Sequence, residues 1–172
     1  MSKYNYLKHT FLLCFARTID IHSKAFGVGG RLSNFTKREF VFDGVSCQSI
    51  EGVLQSFKCK DSNLQNALCA LYGEEAKNAG TEYDEWKSTQ TLYWDAVEYK
   101  RNSAEYQHLL DRLYQAVFEQ DEEFANDLRQ KCRKYKLIHS IGEKDSSKTV
   151  LTEDEFCKRL TSLCNRKDIL NG

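Results

Sequence analysis

The chain of 172 residues contains no proline. Proline ends or kinks helices, so its absence permits long uninterrupted helices, although it indicates no particular activity. The chain also has no excess of either charge, because 25 basic residues balance 25 acidic residues. No overall electric field therefore draws the protein towards nucleic acid, and a nucleic-acid substrate would require a local basic patch.

The seven cysteines and four histidines lack the spacings of metal sites and of disulfide frameworks. There is no Cys-x-x-Cys pair, and no two histidines have the spacing of ligands to one metal ion. An odd number of scattered cysteines in a chain of this size indicates reduced thiols in a cytosolic protein. We therefore expect no metal and no other cofactor.

No hydrophobic run approaches the length needed to cross a membrane. The short apolar run at 11–16 leads into Arg17 and Asp20, and it offers neither a usable signal-peptide core nor a cleavage site. We expect a soluble intracellular protein that does not associate with membranes.

Hydrophobic residues make up 41% of the chain, which is enough for one domain spanning residues 1–172 to bury a core. The patterns predict a mainly α (α+β) fold, a compact helical domain with a small β-hairpin near its N-terminus. The hairpin is predicted at 40–47, where two β-prone runs flank Asp43 and Gly44. Other predicted elements are a short strand within 15–22, an irregular connection over 137–148, and helices starting at Ser49, over 61–71, 74–79, 83–99, 103–118 and 121–133, and after Thr152.

The stretch 47–59 carries the residues best suited to chemistry. Apolar residues recur along it at helical spacing, and Glu51, Gln55 and Lys58 form a polar stripe beside them. Ser49 is a suitable N-cap, which places Glu51 in the first turn, where the helix dipole favours an ionised carboxylate. The stripe is either a solvated polar edge or an active one. An active edge would use Glu51 as a general base or to stabilise a cation, and a desolvated Lys58 to attack a carbonyl.

A glycine-rich segment at 27–30 precedes Arg31. Backbone N–H groups of such a loop, followed by an arginine, could cradle a phosphate. The segment has neither the P-loop spacing nor a dinucleotide-binding fingerprint, and a mobile surface loop is the alternative.

The segment 32–58 resembles the NADAR family, the YbiA/RibX-like proteins. That family pattern is a Ser-Asn-Phe turn, an Asp-Gly hairpin, and a Ser-x-Glu helix followed by a glutamine and a lysine. This chain has the turn at 33–35, the hairpin dipeptide at 43–44, and the helix with Glu51, Gln55 and Lys58. Weaker similarity extends from about residue 19 to residue 163. The family fold is a compact, mainly α-helical domain with a small β element, as predicted above.

The resemblance implies an enzyme, an N-glycosidase that removes ADP-ribose from guanine in DNA and so reverses a DarT-type toxin or defence modification. Its substrate would be ADP-ribosylated DNA, preferably single-stranded, or an ADP-ribosyl nucleotide. Its location would be the bacterial cytoplasm, or the host cytoplasm if a phage encodes it. By matching positions, Glu51 and Lys58 become catalytic residues, the lysine engaging the opened ribose as a Schiff base. The implied substrate-binding residues are Ser33, Asn34, Phe35, Gln55, Trp94, Arg31 and Asp145.

The chain departs from the family pattern in two places. Gly52 follows the glutamate where many members have histidine, and the segment 139–153 lacks their Trp-Gly and Asn-x-Leu-Gly elements. Both departures lie in the pocket wall near the leaving group, so the resemblance does not fix which substrate is bound. Two other functions stay open: an N-glycosidase of phosphoribosylated riboflavin-pathway intermediates, and a non-catalytic module that binds ADP-ribose or NAD. For Trp94, Asn34 and Arg31 the alternatives are a core residue, a turn residue and a surface charge.

Overall fold

The computed structural model describes residues 17–131 and 134–165 of the chain. These residues form eight helices and six short strands, so the prediction of a mainly α fold is confirmed. The strands are β1 (Thr18–Asp20), β2 (Phe40–Phe42), β3 (Val45–Cys47), β4 (Thr91–Trp94), β5 (Val97–Lys100) and β6 (Lys136–Ile138). The helices are α1 (Val28–Arg31), α2 (Ile50–Ser56), α3 (Ser62–Cys69), α4 (Gly73–Gly80), α5 (Trp86–Thr89), α6 (Ala104–Gln120), α7 (Glu122–Lys131) and α8 (Glu153–Asn165).

No helix within these two ranges is both long enough and apolar enough to cross a membrane. Five cysteines in the same ranges are free thiols: Cys47, Cys59, Cys69, Cys157 and Cys164. Cys14, Cys132 and the apolar run at 11–16 lie outside the described residues.

The predicted hairpin at 40–47 is confirmed, with β2 and β3 pairing antiparallel. Asp43 and Gly44 have φ angles of 48° and 85°, the left-handed conformations that a tight two-residue turn of this kind requires. The hairpin leads directly to Ser49, whose side-chain oxygen accepts a hydrogen bond from the backbone N–H of Gly52 at 2.9 Å. That bond satisfies one of the free donors at the start of α2, as the N-cap prediction required.

Helix α2 is buried along its whole length, including its polar residues. Glu51 is 5% exposed and Gln55 is 2% exposed, although both lie on the stripe that could have been a solvated edge. The helix packs against α3, α4, α6 and β3. The interpretation of the stripe as a solvated edge is therefore wrong at Glu51 and Gln55, since neither side chain faces bulk water.

Gly52 allows α2 and α3 to approach closely. A Cβ atom at this position would lie 2.6 Å from the carbonyl oxygen of Leu68 and 2.8 Å from that of Leu71. Both neighbours are backbone atoms, which cannot rotate away as the end of a flexible side chain could. The glycine is thus required by packing, which is a structural reason why no larger residue stands there.

We expect Gly52→Ala to lower the free energy of unfolding by about 1–3 kcal/mol, the usual cost of forcing an extra carbon into a filled core. Helix propensity alone would give the opposite sign, because alanine favours an isolated helix over glycine by about 1 kcal/mol. Urea unfolding followed by circular dichroism measures the change. Asn66→Ala, on the exposed face of α3, is the control and should leave the midpoint nearly unchanged. A higher midpoint for Gly52→Ala would contradict the close approach.

The helix predicted over 83–99 is wrong. Only α5, four residues long, is helical there, and β4 and β5 follow it as an antiparallel hairpin. Asp95 and Ala96 form its turn with φ angles of 49° and 61°. Aromatic and β-branched residues favour pleated strands, and their spacing in this segment matched a helical period by coincidence.

Strand β1 pairs in parallel with β6, bringing together two distant parts of the chain. The predicted strand within 15–22 is confirmed for 18–20, and residues 15 and 16 lie outside the described part. The connection predicted over 137–148 is not wholly irregular, because it begins within β6. Strand β6 has only three residues, too few to show the alternation of apolar and polar residues that predicts a strand. The carboxyl ends of β1 and β6 lie side by side, at the position where parallel strands commonly present ligand sites.

Helix α6 contributes the largest apolar stripe to the core and begins at the predicted cap, Ser103. Helix α8 begins with a capping box. The backbone N–H of Glu155 donates to the hydroxyl of Thr152 at 3.2 Å, and the backbone N–H of Thr152 donates to the carboxylate of Glu155 at 2.7 Å. The predicted cap at Thr152 is therefore confirmed.

Arg101 is fully buried and links the end of β5 to the start of α8. Its guanidinium donates to both carboxylate oxygens of Glu155, at 3.0 and 2.6 Å, and to the carbonyl oxygen of Thr149 at 2.7 Å. Burial raises the pKa of Glu155, but the hydrogen bonds from Arg101 and Thr152 outweigh it and lower the pKa to about 2. This ion pair fixes the segment between Thr149 and Glu155.

Candidate functional site

A cavity of about 330 Å³ lies beside the buried helix α2. One wall is formed by Glu51, Leu54 and Gln55 of that helix. The turn at 33–35 forms a second wall, and the segment 149–152 forms a third. The residues that follow β1 and β6 close the cavity from the side of the parallel strands. Its volume is in the range of small-molecule sites in proteins.

Glu51 places a nearly buried carboxylate at this cavity. Its backbone N–H donates to the carbonyl oxygen of Asn34 at 3.0 Å, which fixes the first turn of α2 against the turn at 33–35. The side-chain amide of Gln55 donates to Oε1 of Glu51 at 2.7 Å. The ammonium of Lys77, on α4, lies 3.9 Å from the same oxygen. The carboxylate is therefore held in one orientation by two partners from two helices.

Burial raises the pKa of Glu51 above its ordinary value, and the charge of Lys77 and the hydrogen bond from Gln55 offset only part of that rise. The carboxyl group is thus closer to exchanging a proton near neutral pH than a solvated glutamate would be. A carboxyl group with a raised pKa in a cavity is a common property of catalytic acids and bases.

We expect Lys77→Met to raise the pKa of Glu51 further, because the nearby positive charge stabilises the ionised carboxylate. An NMR titration of the Glu51 carboxyl carbon measures the midpoint without requiring an activity. Lys87→Met is the control, since Lys87 pairs with Asp84 and does not contact Glu51. A lower midpoint in Lys77→Met would contradict the stabilisation of the ionised carboxylate by Lys77.

The predicted substrate-binding residues Ser33, Asn34 and Phe35 all line the cavity. The hydroxyl of Tyr114 donates to the side-chain oxygen of Asn34 at 2.8 Å, so the amide nitrogen of Asn34 is oriented by a core residue. The turn is supported from behind by Arg38, which donates to the carbonyl oxygen of Ser33 at 3.3 Å. The structure therefore brings Glu51, Gln55 and this turn together, as the sequence pattern suggested.

Lys58 does not line the cavity. Helix α2 ends at Ser56, and the Lys58 ammonium donates to the carbonyl oxygen of Gly80 at 3.0 Å, with Asp84 at 3.8 Å. Burial lowers the pKa of Lys58, and Asp84 partly restores it. The lysine that reaches the cavity is Lys77, which the sequence pattern did not identify.

Trp94 lies in the core rather than at the cavity. Its ring stacks on Phe42 with centroids 5.1 Å apart and meets the edge of Phe57 at 5.5 Å. The indole N–H donates to the carboxylate of Asp43 at 2.8 Å, which ties the two hairpins together. The alternative of a core residue is the one that the structure supports, because β4 directs this side chain inward.

Arg31 and Asp145 also lie away from the cavity lining. The glycine-rich segment forms the short helix α1, and Arg31 at its end donates twice to the carboxylate of Asp127, both at 2.7 Å. Segment 28–31 is thus helical rather than an open loop, and its arginine is engaged by a carboxylate. Asp145 is exposed and accepts a hydrogen bond from the backbone N–H of Ser147 at 3.0 Å, so it stabilises its own turn.

Four titratable residues of the cavity lining were not among the predicted site residues: His22, Lys77, His139 and Glu143. His22 and His139 reach the cavity because β1 and β6 pair in parallel, with Asp20 opposite Ile138. No local spacing signals this arrangement, since the two histidines are far apart in the sequence. Only the pairing of the two strands, once known, would have identified them.

The fold and the cavity define a mainly α-helical protein with a buried carboxylate in a site of small-molecule size. The family model of the bacteriophage protein GP30.3 matches residues 27–165. The "uncharacterized 17.1 kDa protein in Gp30-rIII intergenic region" of Enterobacteria phage T4 is 35% identical over 135 residues, which cover 77% of this chain and 87% of the relative. The chain belongs to the bacteriophage GP30.3 family. No solved structure matches it.

The assignment to the NADAR family is therefore wrong, because the family model that matches is the GP30.3 model and no comparison supports the NADAR family. Local structure explains several of the residues that carried the resemblance. Asp43 and Gly44 form a hairpin turn, Ser49 caps a helix, and Trp94 packs in the core. Gly52, where many NADAR members have histidine, has no room for a side chain.

Proposed function

We propose that this protein is an enzyme that hydrolyses an N-glycosyl bond of a nucleotide-derived substrate, with Glu51 as its catalytic carboxylate. The observation that carries the proposal is the Glu51 side chain, 5% exposed at a cavity wall and held by Gln55 at 2.7 Å and Lys77 at 3.9 Å. Without the NADAR resemblance, the proposal rests on this geometry.

Breaking an N-glycosyl bond leaves positive charge on the ribose ring. A carboxylate fixed beside the ring stabilises that charge, and burial strengthens the interaction because little water screens it. Gln55 holds the carboxylate in place, so little reorganisation is needed when the charge develops. The positive charge of Lys77 favours the ionised form of Glu51 and so opposes the effect of burial. In this proposal the lysine at the cavity is Lys77, whereas the sequence pattern had predicted Lys58 there.

The cavity has room for a nucleoside-sized part of a substrate. Phe35 offers an aromatic face for a base or ribose, and Asn34 offers an oriented amide. The first substrate we propose is ADP-ribosylated guanine in DNA. We propose single-stranded DNA in particular, because a base within a duplex would first have to be flipped out. A phage-encoded enzyme of this kind would act in the cytoplasm of the infected cell and reverse a defence modification.

A comparison of two substrates tests the proposal. The protein is incubated with an oligonucleotide carrying ADP-ribosylated guanine and, separately, with a phosphoribosylated pyrimidine of the riboflavin-pathway type. We expect free ADP-ribose to be released from the oligonucleotide. If the base were released from the pyrimidine substrate instead, the protein would still be an N-glycosidase, but its substrate would be of the riboflavin-pathway type.

Inertness towards both substrates would contradict the proposed function. Calorimetry with ADP-ribose then distinguishes what remains. Binding that is lost in Glu51→Gln and Asn34→Ala but retained in Glu75→Gln, an exposed change of the same charge, would identify a non-catalytic ADP-ribose binding module.

A further inference from the structure

His139 is fixed in one tautomer by a backbone group. Its Nδ1 atom lies 2.5 Å from the carbonyl oxygen of Ile21. A carbonyl oxygen only accepts hydrogen bonds, so Nδ1 must carry the proton. In the neutral ring, Nε2 is then an unprotonated acceptor. Among residues 17–131 and 134–165, no hydrogen bond to Nε2 of His139 is found.

The position of the ring is as well defined as its tautomer. His139 directly follows β6, and the carbonyl group that it contacts directly follows β1. The ring meets the edge of Phe156 with centroids 5.3 Å apart, and both residues line the cavity. The other titratable groups that line the cavity are His22, Glu51, Lys77 and Glu143. A preoriented imidazole thus shares one cavity with the buried carboxylate but comes from a different part of the chain.

We infer that His139 is the general base of the reaction, its Nε2 atom activating the water that replaces the base on the ribose. This inference rests on the proposed function and adds to it the group that takes the water proton. Glu51 stabilises the cationic ribose, and an ionised carboxylate engaged with two partners is less available to accept that proton.

The water oxygen forms a bond to C1′ while the C1′–N bond breaks, and one water proton passes to Nε2 of His139. The electron pair of the broken bond leaves with the base, which takes up one proton from solvent. The imidazolium then returns one proton to solvent, so modified DNA and water give free ADP-ribose and the unmodified guanine of the DNA. The hydrogen bond to Ile21 keeps the imidazolium in place, because both ring nitrogens can donate in that state.

The expected result for His139→Gln is a loss of about 10²–10³-fold in kcat with little change in KM, the usual contribution of general acid–base catalysis. His108→Gln, an exposed change on α6, should leave both unchanged. Added imidazole should restore part of the turnover of His139→Ala, which a purely structural role would not allow. Circular dichroism checks that both variants are folded.

Two outcomes would overturn the inference while leaving the proposed function intact. One is wild-type turnover retained by His139→Gln. The other is nitrogen NMR of the free protein showing the proton of His139 on Nε2 rather than on Nδ1. A wild-type protein that turns over neither substrate would overturn the proposed function and the inference together. Expected instead are the Nδ1–H tautomer and a shift of the Nε2 signal on addition of ADP-ribose, with the signals of His108 unchanged.

Discussion

Glu51→Gln is expected to reduce turnover at least about 10⁴-fold, the range found when a central catalytic residue is removed. The glutamine is nearly the same size and still offers an oxygen to the amide of Gln55, so the cavity and ADP-ribose binding should be preserved. The reason for the loss is that a neutral amide cannot stabilise the cationic ribose. Single-turnover kinetics and calorimetry measure the two effects separately.

The same variant should be more stable than the wild type at neutral pH. The pKa of Glu51 is raised in the folded protein, so the carboxyl group contributes fully to stability only below its unfolded pKa, and the contribution is lost as the pH rises through the folded pKa. Glu51→Gln removes this loss. The gain in Tm should therefore grow with pH above about 4.5, the ordinary glutamate value, and vanish in acid. Such a trade between stability and activity is typical of catalytic sites.

Glu75→Gln, exposed on α4, is the matched control because it changes the net charge by the same amount. It should leave turnover, binding and Tm nearly unchanged. If Glu51→Gln retained wild-type turnover, the catalytic role of the carboxylate would be wrong. If it unfolded the protein, Glu51 would be a structural residue instead.

Arg101→Met is expected to lower the free energy of unfolding by about 3–5 kcal/mol, the cost of breaking a buried ion pair by removing one partner. The change removes the positive partner of the Glu155 carboxylate, which keeps only the neutral donors Thr152 and Gln107, and it removes the donor to the carbonyl oxygen of Thr149. Because Thr149 and Thr152 line the cavity, activity should fall as well. Denaturant unfolding gives the free energy.

The pH dependence of this variant is a second measurement of the same ion pair. The folded pKa of Glu155 is lowered to about 2, so its contribution is present above the unfolded pKa and is lost as the pH falls through about 2. Without Arg101, the pKa of Glu155 should rise, and the difference in stability from the wild type should shrink in acid. Arg112→Met is the control, since its pair with Asp43 at 2.9 Å is exposed and contributes about 1 kcal/mol or less. Equal effects of the two variants would contradict the role of Arg101.

Local signals in the sequence were sufficient for the hairpin at 40–47 and the helix after it. Asp43 and Gly44 favour one type of turn, and Ser49 caps a helix whichever family the chain belongs to. They were insufficient at 83–99, where aromatic residues fit both a helical and a strand pattern. The choice there depends on packing of Trp94 against Phe42, a contact made across the chain that no window of sequence contains.

The site was predictable only where it lies on continuous elements. Glu51, Gln55 and the turn at 33–35 are close in sequence, and they meet at the cavity as expected. Lys58 was misplaced because α2 ends before it, so the i+7 spacing no longer describes one helical face. His139 and Lys77 reach the cavity through tertiary packing, for which the sequence offers no period or motif.

The parallel pairing of β1 with β6 has a consequence for the time at which the site forms. Thr18 pairs with Lys136, so the ribosome must synthesise most of the chain before β1 finds its partner. Closing so long a loop is slow compared with forming the hairpin at 40–47. The wall with Glu51 can fold during synthesis, whereas the wall with His139 must await the C-terminal third. A nascent or truncated chain would therefore carry the carboxylate without the imidazole.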